Sequence, residues 1–137
     1  MLKIRLRRQG AKRQPFYRIV VAEADFKRDG RFVDIIGQYN PRTEPAFFKV
    51  DEARALHFLR NGAQPTDSVR RILTWSGTME RLERLKKGEA TLEALVAEAE
   101  EADAKREWNL KTRRDDLTAE RIAKKQAAKA AKSAAQE

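Results

Sequence analysis

Cysteine is absent from the 137-residue chain. That excludes disulfide staples, thiolate metal sites and a cysteine nucleophile, and leaves nothing pointing to an oxidising compartment. Histidine occurs once, at His57, inside a helical pattern with no paired carboxylate beside it. One such residue is too little for a catalytic or metal-binding cluster. No apolar run approaches the roughly 18 residues of a spanning helix, and the opening MLKIRLRR puts charge where a signal peptide carries its apolar run. Walker, Rossmann, nucleophile-elbow and zinc spacings are also missing. These absences predict a cytoplasmic protein that is not an enzyme, with no cofactor, no metal, no small-molecule substrate and no membrane partner.

Positive charge is what the chain has in excess. Lys and Arg number 30 against 21 Asp and Glu, a net charge of +9. Residues 1–88 hold 20 basic against 10 acidic side chains, whereas residues 89–137 hold 10 against 11. Of 35 large apolar side chains, 28 also fall within residues 1–88. The division predicts a folded RNA-binding domain over 1–88 and a charged, alanine-rich, helical or partly disordered extension over 89–137. Charge of this size calls for a polyanion. Nucleic acid is favoured over an anionic membrane surface, because the basic residues begin on a strand pattern and not on an amphipathic helix.

The first strand pattern is the most informative segment. Leu2, Ile4 and Leu6 alternate with Lys3, Arg5 and Arg7, and Arg8 extends the run. A period of two sends the sets to opposite faces, so one face joins a core while the other presents cations about 6 to 7 Å apart, a spacing suited to successive phosphates. Being exposed, these cations are expected to contribute little to folding. The loop Gln9–Gln14 adds Lys12 and Arg13, and with Arg18 the first 18 residues carry seven basic side chains and no acid.

Phe16–Ala22 reads as a buried strand, Lys27–Gly30 as a turn with Asp-Gly supplying a left-handed position, and Arg31–Tyr39 as a third strand in which Gly37 marks a bulge or close backbone approach. Ala46–Val50 reads as a short fourth strand. Asp51 caps a helix to about Asn61 with Ala53, Leu56 and Leu59 on one face. Thr66 caps a second helix with the stripe Val69, Ile72 and Leu73, which Gly77 stops. Thr78 starts a third short helix that Gly88 ends. Strands first and helices after predict an α+β fold: a small, largely antiparallel or mixed four-stranded sheet, two or three short helices, and a C-terminal helical tail. In the tail, Trp108, Leu110, Leu117 and Ile122 are too sparse for a second core, so it is expected to project and to fray beyond about Lys124.

Four segments, KIRLRRQGAKRQPFYRIVVA (Lys3–Ala22), RDGRF (Arg28–Phe32), IGQYNP (Ile36–Pro41) and GAQPTDSVRRIL (Gly62–Leu73), together resemble the bacterial small-subunit ribosomal protein S16 family. The resemblance covers roughly residues 1–85. It implies a small α+β domain that binds small-subunit ribosomal RNA and helps that RNA fold during assembly of the subunit. Where the family often continues Ala-Asp-Ser, this chain has Ala22-Glu23-Ala24-Asp25-Phe26, and residues 89–137 match no pattern of the family.

The candidate rRNA-binding residues are accordingly Lys3, Arg5, Arg7, Arg8, Lys12, Arg13 and Arg18, joined by Arg28, Arg31 and Arg42 beside loops. Phosphate contacts carry little sequence information, so specificity is expected from shape. The aromatic residues at strand positions are mostly core, with Tyr17 and Tyr39 the better candidates for base stacking. Partners are small-subunit rRNA and neighbouring ribosomal proteins, with Lys105–Lys132 the RNA-facing part of the tail against a merely solvated extension. A non-ribosomal RNA-binding regulator or chaperone is the alternative. A metal-dependent nuclease built on Asp25, Asp29 and Asp34 is a third reading, which turn chemistry and pairing with Lys27, Arg28 and Arg31 explain more simply.

Overall fold

The computed structural model describes residues 1–43, 45–108 and 113–135, with side chains of the last segment from 118 onward. Four strands, β1 (Leu2–Gln9), β2 (Phe16–Glu23), β3 (Asp34–Asn40) and β4 (Phe47–Val50), form an antiparallel meander. A two-residue strand, β5 (Gln64–Pro65), adds to the free edge of β1 in parallel, giving the order β4-β3-β2-β1-β5. The sheet is therefore mixed and five-stranded, one strand more than expected. Its extra strand has no periodic signal to read, because it is two residues long and contains a proline confined to the edge.

Gly37 has both properties expected of it. The β2–β3 register slips between Ile19 and Val20, where Gly37 faces Ile19 and Ile35 faces Val20. The slip leaves Ile36 unpaired and wholly buried in the core. A Cβ at Gly37 would lie 2.4 Å from the Lys49 carbonyl oxygen, so β4 approaches only because that side chain is absent.

Helices α1 (Glu52–Arg60), α2 (Asp67–Ser76) and α3 (Thr78–Lys87) follow. The Asp51 side chain accepts from Arg54 N and caps α1, as expected; Thr66 precedes α2 with extended backbone but makes no side-chain cap. The buried face of α1 is Glu52, Ala55, Leu56 and Leu59, while Ala53 is exposed. The stripe is thus rotated from the expected one. Val69, Ile72 and Leu73 bury as predicted, and Gly77 and Gly88 end α2 and α3 in the left-handed conformation. These residues close over Ile4, Ile19, Val21, Ile36 and Val50 of one sheet face to make the core.

Glu52 replaces an apolar residue on that face for a reason. Its carboxylate accepts from Thr78 Oγ1 (2.9 Å) and Arg81 Nη1 (3.2 Å), and Arg81 also donates to the Ser76 carbonyl (3.0 Å). Burial pushes the Glu52 carboxyl upward, and the Thr78 hydroxyl and Arg81 guanidinium oppose that rise. The network ties α1 to the α2–α3 corner.

Beyond Gly88 the chain forms α4 (Leu92–Ala104) and α5 (Arg113–Ala135). Leu95 is fully buried and belongs to the main core, and Ala99 is nearly so. Glu98 accepts from Arg84 Nη1 at 2.9 Å and lies 3.9 Å from Arg81 Nε. Trp108 meets Phe47 and Phe48 edge-on at 5.1 Å each, and the Arg106 guanidinium covers Phe48 at 5.0 Å. The apolar residues of this segment thus join the first core. Helix α5 runs to Ala135, in keeping with its alanine and lysine content. Leu110 lies outside the described residues, as does the Leu117 side chain.

The burial difference between α4 and α5 predicts unequal mutational costs. Leu95→Ala is expected to destabilise by about 2–5 kcal/mol, and Ile122→Ala, half-exposed on α5, by less than about 0.5 kcal/mol. Urea denaturation of the full chain measures both, and equal midpoints would show that α4 does not belong to the cooperative unit.

Candidate nucleic-acid interface

Lys3, Arg5 and Arg7 do lie opposite Ile4 on β1, across from Ala22, Val20 and Arg18 of β2. The face they share is not bare. The β2–β3 connection, residues 24–33, folds back over it, and Val20 and Ala22 beneath are 1% and 0% exposed. Arg5 Nη2 donates to the Lys27 carbonyl (2.8 Å) and Arg7 Nη2 to the Asp29 carbonyl (3.3 Å), while the Arg7 guanidinium sits over the Phe32 ring at 5.0 Å. Both arginines are half-buried. The expectation that they are free, exposed strand cations is therefore corrected: they hold a loop in place.

That loop turns the charge outward again. Gly30 N donates to the Lys27 carbonyl at 3.1 Å to close the turn, without the left-handed glycine that Asp-Gly suggested. Lys27, Arg28 and Arg31 are exposed on it. Arg28 pairs with Asp29 at 3.1 Å, and its hydrogen bond holds the Asp29 carboxyl below its ordinary range. Arg31 lies 5.8 Å from the Phe26 ring centroid.

Arg18 stands directly opposite Arg7, an arrangement of like charges that costs free energy unless an anion or a set of carbonyls relieves it. The Nε atoms of Arg5, Arg7 and Arg18 are buried without a hydrogen-bond partner. Among the described residues, no carboxylate pairs with Lys3, Arg5, Arg7, Arg8, Lys12, Arg13 or Arg18.

The remaining candidates gather at the other end of the sheet. Arg8 shares the face of Leu6 and lies opposite Tyr17. Lys12 and Arg13 are exposed in the 10–15 loop, where Gly10 at φ +94° and Arg13 at φ +59° make the turn. A side chain at Gly10 would strike the Gln14 carbonyl at 2.3 Å. Arg42, half-buried, follows β3 at the same end, its backbone N–H held by Asn40 Oδ1 at 3.0 Å. Tyr17 and Tyr39 lie opposite one another there, ring centroids 6.1 Å apart and planes 29° from parallel. Sequence reasoning missed two neighbours, Arg71 and the half-exposed Trp75, which line one groove with these tyrosines. Their signal was the i, i+4 spacing on α2 away from the Val69, Ile72, Leu73 stripe.

The other singled-out residues are drawn to separate partners. Asp34 Oδ1 accepts from Arg54 Nη1 at 3.1 Å and Asp29 pairs with Arg28. His57 is exposed on α1 beside Phe58. Among the described residues, no three acidic or histidine side chains are gathered in a way that could hold a metal ion, and no helix is long and apolar enough to cross a membrane.

The clamp predicts a specific loss. Replacing Arg5 and Arg7 with glutamine removes two charge-assisted bonds, each worth about 1.5–3 kcal/mol at most. Trypsin cleavage after Lys27 and Arg28 should rise by about tenfold or more with the fold intact. An unchanged cleavage rate would mean that the loop is held by something else.

Comparison with known proteins gives a consistent picture. The family described as Ribosomal protein S16 matches residues 8–66. Small ribosomal subunit protein bS16 of Clostridium novyi (strain NT) is 54% identical over 83 residues, 61% of this chain and 98% of that protein. The protein of the same name from Clostridium kluyveri is 56% identical over 81 residues, 59% of this chain and 95% of its own. That from Thermomicrobium roseum is 57% identical over 79 residues, 58% and 80% respectively.

Proposed function

The chain belongs to the ribosomal protein S16 family, and from that premise we propose that it works by fastening backbone segments of small-subunit ribosomal RNA to two adjoining basic surfaces as the subunit assembles. It is a structural, RNA-binding protein of the small ribosomal subunit and not an enzyme. The off-ribosome regulator that composition alone leaves open yields to this membership.

One observation carries the residue-level reading. Arg7 and Arg18 stand opposite one another beside Arg5, and among the described residues no carboxylate forms an ion pair with any of the three. The phosphates of an RNA backbone would relieve this concentration of positive charge through their field, without direct bonds to the covered guanidinium groups. On this reading Arg5 and Arg7 act mainly by position. Their guanidinium groups hold the carbonyls of residues 27 and 29, so that Lys27, Arg28 and Arg31 face the RNA from a fixed loop. Lys3 and Arg18 flank that surface. Arg8, Lys12, Arg13 and Arg42 supply the second surface at the sheet's end. Rigid loops of fixed spacing select folded RNA by its backbone path, which supplies the specificity that charge lacks.

The extension adds reach. Arg121, Lys125, Lys129 and Lys132 of α5 recur at helical spacing on one face, over a length of about 16 Å, and are exposed. This stripe suits a further RNA backbone segment, and neighbouring small-subunit proteins are the remaining partners.

Five or so phosphate contacts give an expected log–log salt slope of about −4 to −5 for binding of the full chain to small-subunit rRNA. Lys12→Gln with Arg13→Gln should weaken binding and flatten the slope by about 2, because each lost phosphate contact removes roughly one. Filter binding between low and physiological salt reads both, and an unchanged slope would remove the 10–15 loop from the interface.

A further inference from the structure

Trp75 ends helix α2 with 53% of its surface in water, next to the core and not in it. Its indole walls a groove of about 320 Å³ together with Leu6, Tyr17, Tyr39, Pro41 and Arg71. Among the described residues no carboxylate lines this groove, although Asp67 lies with Arg70 and Thr74 in an adjoining depression that Arg71 and Trp75 also line. Arg71 is exposed, one turn before Trp75, and has no acidic partner among the described residues.

We propose that this groove is a binding site for one unpaired nucleobase, held by Trp75 and the two tyrosines with its phosphate on Arg71; the proposal rests on the RNA-binding reading above and deepens it. Three flat aromatic faces around one slot are unfavourable to leave hydrated, and a nucleobase offers a matching flat face to cover them. Among the described residues lining the slot, the charged one is Arg71, whose guanidinium suits the attached phosphate. A paired base is already stacked within its helix and cannot enter, so the site distinguishes an extruded or single-stranded nucleotide from a duplex. Position agrees as well, since Arg8 lies opposite Tyr17, a lining residue of the groove.

Fluorescence tests this directly. In the full-length Trp108→Phe chain, Trp75 is the sole indole, and it is titrated with a single-stranded oligoadenylate of about ten nucleotides and with an adenine–uracil RNA duplex of similar length. Bound RNA is followed separately by anisotropy of an end label. The single strand should quench most of the Trp75 emission, and the duplex should bind without doing so. In the same assay Arg71→Gln and Trp75→Ala should each weaken the single strand by about tenfold and leave duplex binding alone, with Trp75→Phe close to the parent. Circular dichroism confirms that each variant folds. Single-strand binding without quenching, or equal quenching by the duplex, overturns the groove and spares the basic surfaces. Failure of the single strand to bind overturns the groove alone, and loss of binding to folded small-subunit rRNA, measured on the same chain, is what would overturn the broader reading.

Discussion

The bonds from Arg5 and Arg7 to the carbonyls of Lys27 and Asp29 are the constraint on which the outer surface depends. A sheet with helices on one side leaves its other side to be covered or wetted. Here Val20 and Ala22 are apolar and need cover, yet the returning loop brings chiefly Phe26 and Phe32 as apolar material. Its backbone carbonyls must also find donors once they leave water. Guanidinium groups meet both needs, because a planar cation can donate along its edge while an aromatic ring covers its face. Arg7 does both, with Asp29 at its edge and Phe32 at its face. A lysine at position 7 lacks the planar fork that makes the two contacts at once.

A second charged centre unites the helices. Glu52, Thr78 and Arg81 form a buried set in which the carboxylate and the guanidinium satisfy one another and the Ser76 carbonyl. The satisfaction is incomplete, because Arg81 Nε is buried without a hydrogen-bond partner; such a set costs desolvation and returns little net stability, but removing one member leaves a charge stranded. Its value is geometric. Arg81 fixes the α2–α3 corner, and Glu98 of α4 then meets Arg81 and Arg84 from outside. Arg106 donates to the Trp75 and Ser76 carbonyls at the same corner. The matched lengths of the three bS16 relatives, 79 to 83 residues, are close to that of the 1–88 segment. What this chain adds is therefore attached at a polar hub of that segment and sealed by Trp108.

The sequence disclosed those features that one side chain or one period decides. Alternation located β1 and its two faces, Asp51 and Gly77 located helix ends, and Gly37 announced a close approach. Features that depend on distant partners were not legible. Nothing local tells that residues 24–33 return across the sheet, since that follows from two arginines finding carbonyls 22 residues away. The burial of Glu52 had no local signal because its partner Arg81 lies 29 residues on, and the rotated stripe of α1 is the consequence. β5 is too short for any pattern, and Leu95 and Trp108 looked sparse because the core they join belongs to another segment. The same limit governed the site: clustered cations were visible as a list, whereas their division between holding a loop and facing outward was not.

That division changes how positive charge should be counted in this protein. A cation whose hydrogen bonds are already given to backbone carbonyls still contributes its field to an approaching phosphate, because a carbonyl is a dipole and does not neutralise it. Its directional bonds are no longer free to reorient toward the ligand. On the proposed reading, Arg5 and Arg7 supply long-range attraction and a rigid frame, and the exposed Lys27, Arg28 and Arg31 supply the short contacts. Rigidity matters because ordering loops on binding would subtract from the affinity gained. A surface assembled this way discriminates by the path of the RNA backbone, and the fold reaches it by spending arginines on its own interior side before any nucleic acid arrives.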